Sequence, residues 1–389
     1  MSACHSLYVH LPFCRSKCAY CDFNSYPGQE HLIPAYVDAL LREATSWAES
    51  RVAGHIETLY FGGGTPSLLP IAEAERLVDG LRQRFDIAGN AEVTIEANPE
   101  SVDAADLVAL SRLGVNRLSL GVQSLDDAEL RFLGRIHDAE RAEDAYRAAR
   151  SAGFASVTID LIFGLPGQTT AQWRRSLEKA VALGPDHLSL YALTLEEDTP
   201  LARRVVDGDC PEPDPDLQAE MYTWSSERLA RASYEQYEIS NWAKPGHRCR
   251  HNLTYWHSEP YLGLGAGAHS YLNGYRLANE RAPERYIELV DAGGDARPWD
   301  PATASHVESV EQPDAEREMS DAVILGLRLT EGVSLSELGH RFRVDFGERY
   351  RREIDELETL GLLESVDGRI RLTKHGRLLG NEAFQRFLR

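Results

Sequence analysis

The chain has 389 residues, 43% of them hydrophobic and 26% charged, with a formal net charge of −20. That length allows two or three domains and a substantial buried core, while so acidic a surface disfavours general binding to nucleic acid or anionic lipid. No apolar run reaches the roughly 18 residues of a transmembrane helix. The opening MSACHSLYVHLPF also lacks the basic-then-apolar signal pattern, so a cytoplasmic protein with no integral membrane segment is expected.

Six short runs rich in β-branched residues follow in order, each ending in polar or turn-forming residues: SLYVHLP (6–12), IETLYFGGG (56–64), AEVTIEANPE (91–100), NRLSLGVQS (116–124), SVTIDLIFGLP (156–166) and HLSLYALTL (187–195). Amphipathic patterns such as AYVDALLREATSWAES (35–50) and AEAERLVDGLRQRF (72–85) lie between them. Alternating β and α units predict an α/β fold, a partial (βα)6 barrel of parallel strands over 1–235, with helices outside. In such folds ligands collect where strands end and loops begin, so the tails of the six runs converge on one mouth.

Pro- and Asp-rich residues 196–215 read as a loop or short arm. An aromatic-, His- and Gly-rich α+β region is expected over 236–290 and a linker over 291–315. Over 316–389 the order helix, short helix, helix, hairpin predicts a winged-helix-like end domain. Its 13 Lys and Arg stand against 14 Asp and Glu, which favours packing or protein interaction over DNA binding.

Six cysteines are present, and three of them cluster in HLPFCRSKCAYCDFNSY (10–26) as C-x3-C-x2-C: Cys14, Cys18 and Cys21. Isolated Cys210 and Cys249 read as partly buried or idle thiols. A trio of thiols on one loop can seat zinc, with His10 or His5 completing a tetrahedron. It can equally seat an iron–sulfur cube, with one iron left unfilled by protein.

The loop, placed after the first strand of a partial barrel, resembles that of the radical S-adenosylmethionine (SAM) superfamily. The resemblance implies a [4Fe–4S] cluster on Cys14, Cys18 and Cys21, with SAM chelating the fourth iron. It further implies transfer of an electron to the sulfonium and release of a 5′-deoxyadenosyl radical. YFGGGTPSLL supplies Gly62, Gly63, Gly64 and Thr65, where missing side chains let backbone approach a ligand such as SAM's amino group. EVTIEANPE supplies Glu96, similar to the residue that binds SAM's ribose hydroxyls, a role that suits a double acceptor. LGVQS, FLGRIHD and TIDLIFGLPGQT supply Gln123, Arg135 and Asp160, and Tyr8 matches a tyrosine ahead of the cluster loop. The guanidinium of Arg135 suits a carboxylate.

These motifs resemble the coproporphyrinogen III oxidase-like branch in particular. The oxidase carries a further cysteine two places after its third, where this chain has Phe23. It also has an extension ahead of its first strand, whereas this chain begins almost at the cluster loop. Both departures resemble instead the HemW-type haem chaperones. That likeness implies a protein that binds cluster, SAM and haem and hands haem to an acceptor, such as a respiratory-chain protein. The family's H-N-x-x-Y-W signature is present as His251, Asn252, Tyr255 and Trp256. An imidazole between aromatics suits a haem axial ligand, and it equally suits a core patch. His247, His257, His269 and Cys249 are secondary candidates. Oxidative decarboxylation of coproporphyrinogen III, and a zinc-stabilised scaffold, remain the alternatives.

Overall fold

Each run of alternating or continuous apolar residues forms a strand in a computed structural model that describes residues 4–50, 52–292 and 304–388. The six are β1 (Cys4–Leu11), β2 (Ala53–Gly63), β3 (Ile87–Ala97), β4 (Arg117–Gln123), β5 (Ser156–Phe163) and β6 (His187–Ala192). They lie side by side in chain order, all parallel. The register sets Val9 beside Phe61, Phe61 beside Ile95, Ile95 beside Leu118 and Leu118 beside Val157. These residues are all buried, as parallel strands covered by crossover helices require.

The covering helices read as their spacing predicts. Helix Ile33–Ser50 buries Tyr36, Val37, Leu40, Ala44 and Trp47, one stripe at i, i+3 and i+4 intervals. Thr169 caps helix Thr170–Leu183 by accepting from the Gln172 amide, and left-handed Gly184 ends it.

The sheet is wider than the six runs. Leu262–Leu264 joins in parallel beside β1, while Asn241–Ala243 and then Glu235–Gln236 add antiparallel beside β6, giving nine strands in an open arc. Residues 196–215 contain a helix, Pro200–Val206, within the expected loop. Of the expected linker 291–315, residues 293–303 lie outside the described residues. Val307–Glu311 is a strand there, pairing with Tyr275–Asn279, which pairs in turn with His269–Leu272.

Beyond it, helices Ala315–Gly326, Leu335–Phe342 and Arg351–Thr359 surround a three-stranded sheet in the order Val333–Ser334, Arg369–Leu372, Leu363–Val366. This winged-helix-like unit has its own core around Val323, Phe346, Leu357 and Phe387. It grips the barrel through Arg341, which donates to the carbonyls of His257 and Ser258, and through Ile239 and Thr330 backbone bonds. Among the described residues no helix is long and apolar enough to cross a membrane.

One buried carboxylate ties the arc shut on the β1 side. Glu43, on helix 33–50, accepts from the Gly265 amide, the Asn279 side chain and the Tyr286 hydroxyl, and lies 3.2 Å from His306. Burial pushes its pKa up, but His306 and the donated bonds outweigh that and hold it below the ordinary 4.5. Its stabilisation is therefore full above pH 4.5 and lost as pH falls through the lower folded value. Glu43→Ala should cost about 3–5 kcal/mol, read as a fall in the urea midpoint at pH 7, because three donors and an imidazole lose their partner. The gap from wild type should shrink in acid; a gap constant with pH would show that the carboxylate's charge plays no part.

Candidate functional site

The cysteine loop is held by its backbone. After β1, Phe13–Cys14 pairs with Tyr26–Pro27, so the loop leaves and returns at one point. Within it Cys21 N bonds Cys18 O, Ala19 N donates to Leu133 O at 3.1 Å, and Leu201 N donates to Ala19 O at 2.8 Å. Ala19 and Tyr20 pack on a small core of Leu133, Ile162, Leu165, Leu193 and Leu201. The helix of 200–206 thereby clamps the middle of the loop.

Cys14, Cys18 and Cys21 are free thiols that together line a chamber of about 510 Å3. Strands β2 to β6 each contribute to it from their carboxyl halves, and β1 contributes through the loop that follows it. Thr65 Oγ1 accepts from the Asn98 amide at 3.0 Å and lies 3.5 Å from the Cys14 sulfur, to which its hydroxyl can donate once that thiol is deprotonated. Arg135 donates to the Cys18 sulfur at 3.3 Å, to Asn98 Oδ1 at 2.6 Å and to the Gly121 carbonyl. Arg135 is therefore part of the loop's support, with two of its three nitrogens engaged by protein. Burial raises the Cys14 and Cys21 thiols above their ordinary pKa, which the bonds from Thr65 and the Phe23 amide oppose.

Among the described residues, no three His, Cys, Asp or Glu side chains close around a single ion. Neither histidine expected for zinc serves: His10 is bonded at both nitrogens and His5, at the far end of β1, bonds the His55 carbonyl. Three spaced thiols, two of them receiving hydrogen bonds from Thr65 and Arg135, suit a larger sulfur-bridged cluster.

The glycine run lets the end of β2 lie against that loop. A Cβ on Gly64 would sit 2.6 Å from the Phe13 carbonyl oxygen, and Gly63 has φ +118°, with a Cβ position 2.7 Å from the His10 ring. The closeness is used: Gly64 N donates to Leu11 O and Thr65 N to Phe13 O.

Two acids form the chamber's inner wall. Glu96 accepts from the Tyr60 hydroxyl at 2.8 Å and the Gly63 amide at 3.2 Å. Burial raises its pKa to about 7, the Tyr60 bond opposing and Asp160 adding to the rise. Asp160 accepts from Ser119 at 2.9 Å, and burial raises it to about 6 against the bonds from Ser189 and Ser119. Gln123 lines the same wall in a left-handed backbone conformation, φ +67°, uncommon for a residue with a side chain. Asn98 and Tyr191 also line the chamber, and sequence reasoning missed both. The signal for Asn98 was its place directly after β3, one residue past the end of the Glu96 strand.

A second chamber, about 580 Å3, adjoins the first through shared Phe23, Gly63 and Glu96. Tyr8 belongs here, not with the thiols. His10 Nε2 donates to the Asn24 carbonyl, so its Nδ1 accepts from the Tyr8 hydroxyl at 3.0 Å; burial, opposed by the Asn24 bond, lowers its pKa to about 4 and keeps it neutral. His251 lines neither chamber. It is fully buried, with Nδ1 on the Thr58 hydroxyl at 2.8 Å and Nε2 on the Tyr255 hydroxyl at 2.9 Å, stacked on Tyr60. Coordination through either nitrogen would break the hydrogen bond made there and would need iron to reach a fully buried ring outside both chambers, so in this conformation the ring packs as a core residue.

Open parallel arc and thiol loop together define a protein of the radical SAM type. The Radical SAM superfamily model matches residues 8–180 and the HemN C-terminal domain model matches 314–379. A Bacillus subtilis protein named Heme chaperone HemW is 35% identical, covering 98% of this chain and 99% of its own. The Escherichia coli Heme chaperone HemW is 34% identical over 98% of both chains. The solved E. coli coproporphyrinogen III oxidase HemN, described as a radical SAM enzyme, superposes with TM-score 0.83 at 27% identity, covering 98% of this chain and 89% of its own. The chain belongs to the HemW family within the radical SAM superfamily. Membership of the superfamily implies a [4Fe–4S] cluster and SAM.

Because the folded pKa of Glu96 lies above its ordinary 4.5, it contributes stability that is present below pH 4.5 and lost as pH rises through 7. Glu96→Gln, which keeps an acceptor for the Gly63 amide, should gain in Tm relative to wild type between pH 5 and pH 8. Thermal unfolding of the cluster-free chain at several pH values checks this; a difference that stays flat rejects the raised value.

Proposed function

We propose that this chain is a haem chaperone: it binds a [4Fe–4S] cluster through Cys14, Cys18 and Cys21, SAM beside it, and haem, which it passes to an acceptor protein such as a respiratory-chain component. The observation that carries the reading is the undisulfided thiol trio in one chamber, with Phe23 rather than a cysteine two places after Cys21, in a chain matching HemW proteins over nearly its full length. A cluster in that chamber would supply a low-potential electron and an iron open to SAM's amino and carboxylate groups.

The protein's own part is positional. Thr65 and Arg135 orient two sulfurs by hydrogen bonds. Gly63 and Gly64 leave backbone room for SAM, and Glu96, already an acceptor for Tyr60, offers oxygens to ribose hydroxyls. Gln123 and Asp160 shape the wall behind it. Tyr8 holds neutral His10 at the junction of the two chambers. His251 fixes helix Arg250–Trp256 rather than meeting iron. Phe23, 65% exposed at that junction, puts an apolar ring in place of a fourth thiol.

Anaerobic reconstitution should yield about four iron and four sulfide per chain. Alanine at any of Cys14, Cys18 or Cys21 should abolish this, and SAM should change the reduced cluster's EPR signal. A colourless protein, or a signal indifferent to SAM, sinks the reading. Vinyl-bearing product from coproporphyrinogen III, SAM and reductant would instead establish the oxidase alternative.

His251→Ala should lower stability by about 1–3 kcal/mol, since two buried hydroxyls lose a partner, yet leave the Soret maximum of the haem complex in place. A shifted or missing Soret band in a folded variant would restore the axial role to His251.

A further inference from the structure

The thiols and acids of the first chamber are accounted for; the second chamber's outer wall is not. There the strands His269–Leu272 and Tyr275–Asn279, with the turn that follows, bring His269 and Arg281 to the cavity of about 580 Å3. The same cavity is walled by Tyr255 and Tyr261, packed edge to face with ring centres 4.7 Å apart. Among the described residues the His269 imidazole makes no hydrogen bond, and the Arg281 guanidinium makes neither hydrogen bond nor ion pair.

This contrasts with the neighbouring imidazoles. His10, in the same cavity, has both nitrogens engaged, and so does His251, behind Tyr255. Of the three, His269 has a lone pair left to give. His269 and Arg281 both stand on the exposed rim of the cavity, and partial desolvation first and Arg281 second lower the His269 pKa, which favours the neutral ring.

We propose that the second chamber is the haem seat, with His269 as an axial ligand to the iron and Arg281 as partner of a propionate; this rests on the haem-chaperone reading above. A cavity of this size is in the range that holds cofactors. Aromatic walls suit a flat macrocycle, an imidazole suits its iron, and a guanidinium suits its carboxylate. Binding is coordination of ferric iron by a neutral imidazole lone pair, so no electron moves. Glu308 on the same rim carries the opposite charge and tempers the attraction for propionate. The shared wall of Phe23, Gly63 and Glu96 would set one edge of the haem against the cluster chamber.

The test is titration of the anaerobically reconstituted chain with haemin, followed by the Soret difference spectrum. Wild type should bind. His269→Ala should shift the Soret maximum and weaken binding roughly tenfold or more, with added imidazole restoring the wild-type spectrum. Arg281→Gln should weaken haemin binding roughly tenfold while leaving haemin dimethyl ester unaffected. Wild type that binds no haemin removes the haem-chaperone reading and this seat together. Wild type that binds, with a His269→Ala spectrum identical to it, overturns the ligand assignment alone. Equal loss of haemin and its ester by Arg281→Gln overturns the propionate contact. Cluster absorbance and circular dichroism, expected unchanged, show that each variant is folded.

Discussion

The chamber depends on how close the ends of two neighbouring strands can come. β1 and β2 finish with the Phe13 carbonyl oxygen 2.6 Å from where a side chain on Gly64 would begin. Only because none is there can Gly64 and Thr65 bond back to Leu11 and Phe13. That zipper fixes Cys14, and it also places the Thr65 hydroxyl 3.5 Å from the Cys14 sulfur. The other two thiols inherit their place from Ala19, held between Leu133 and Leu201. Side-chain chemistry at the site is thus built on main-chain geometry, which makes the thiol spacing a property of the barrel rather than of a flexible loop.

Electrostatics reinforces the same design. A chain this acidic would by composition surround its site with negative charge, yet Glu96 and Asp160 have pKa values raised to about 7 and about 6. Burial thus favours the uncharged form of each relative to an exposed carboxyl, more strongly at Glu96 than at Asp160. Arg135 places positive charge beside Cys18 and is backed by Glu100, itself bonded to His137. The site is thereby closer to balance than its count of carboxylates implies. The likeness to the oxidase HemN in fold is strong, and in this chain an exposed aromatic ring, Phe23, stands beside the thiols.

Much of this was legible in the residues. All six strand runs form strands, because β-branched stretches ending in Gly, Asn or Asp encode both the strand and its stop. The thiol loop was legible because its spacing is local. What local pattern cannot show is which distant segment meets which. Leu262–Leu264 is too short to display a period, yet it extends the main sheet beside β1. Tyr8 and His10 look like equal neighbours of the thiols along the chain, but alternation in β1 and the approach of residues 255–281 put them in a different cavity. His251 carries a family signature, and its burial follows from Thr58 lying opposite on β2, 193 positions away. Asn98 and Tyr191 were missed because nothing in their types marks them apart from ordinary loop and strand residues.

The tie at Glu43 has a consequence for the order in which the protein can be made. Its partners Gly265, Asn279, Tyr286 and His306, and the strand that covers the outer edge of β1, all belong to the later part of the chain. A ribosome working at roughly 5–20 residues per second needs on the order of 13–50 seconds to travel from Glu43 to His306. Throughout that interval the first strand has a bare edge and three early thiols stand on an unfinished scaffold. Nascent-chain protection and late metal loading are therefore demands that the topology itself places on the cell.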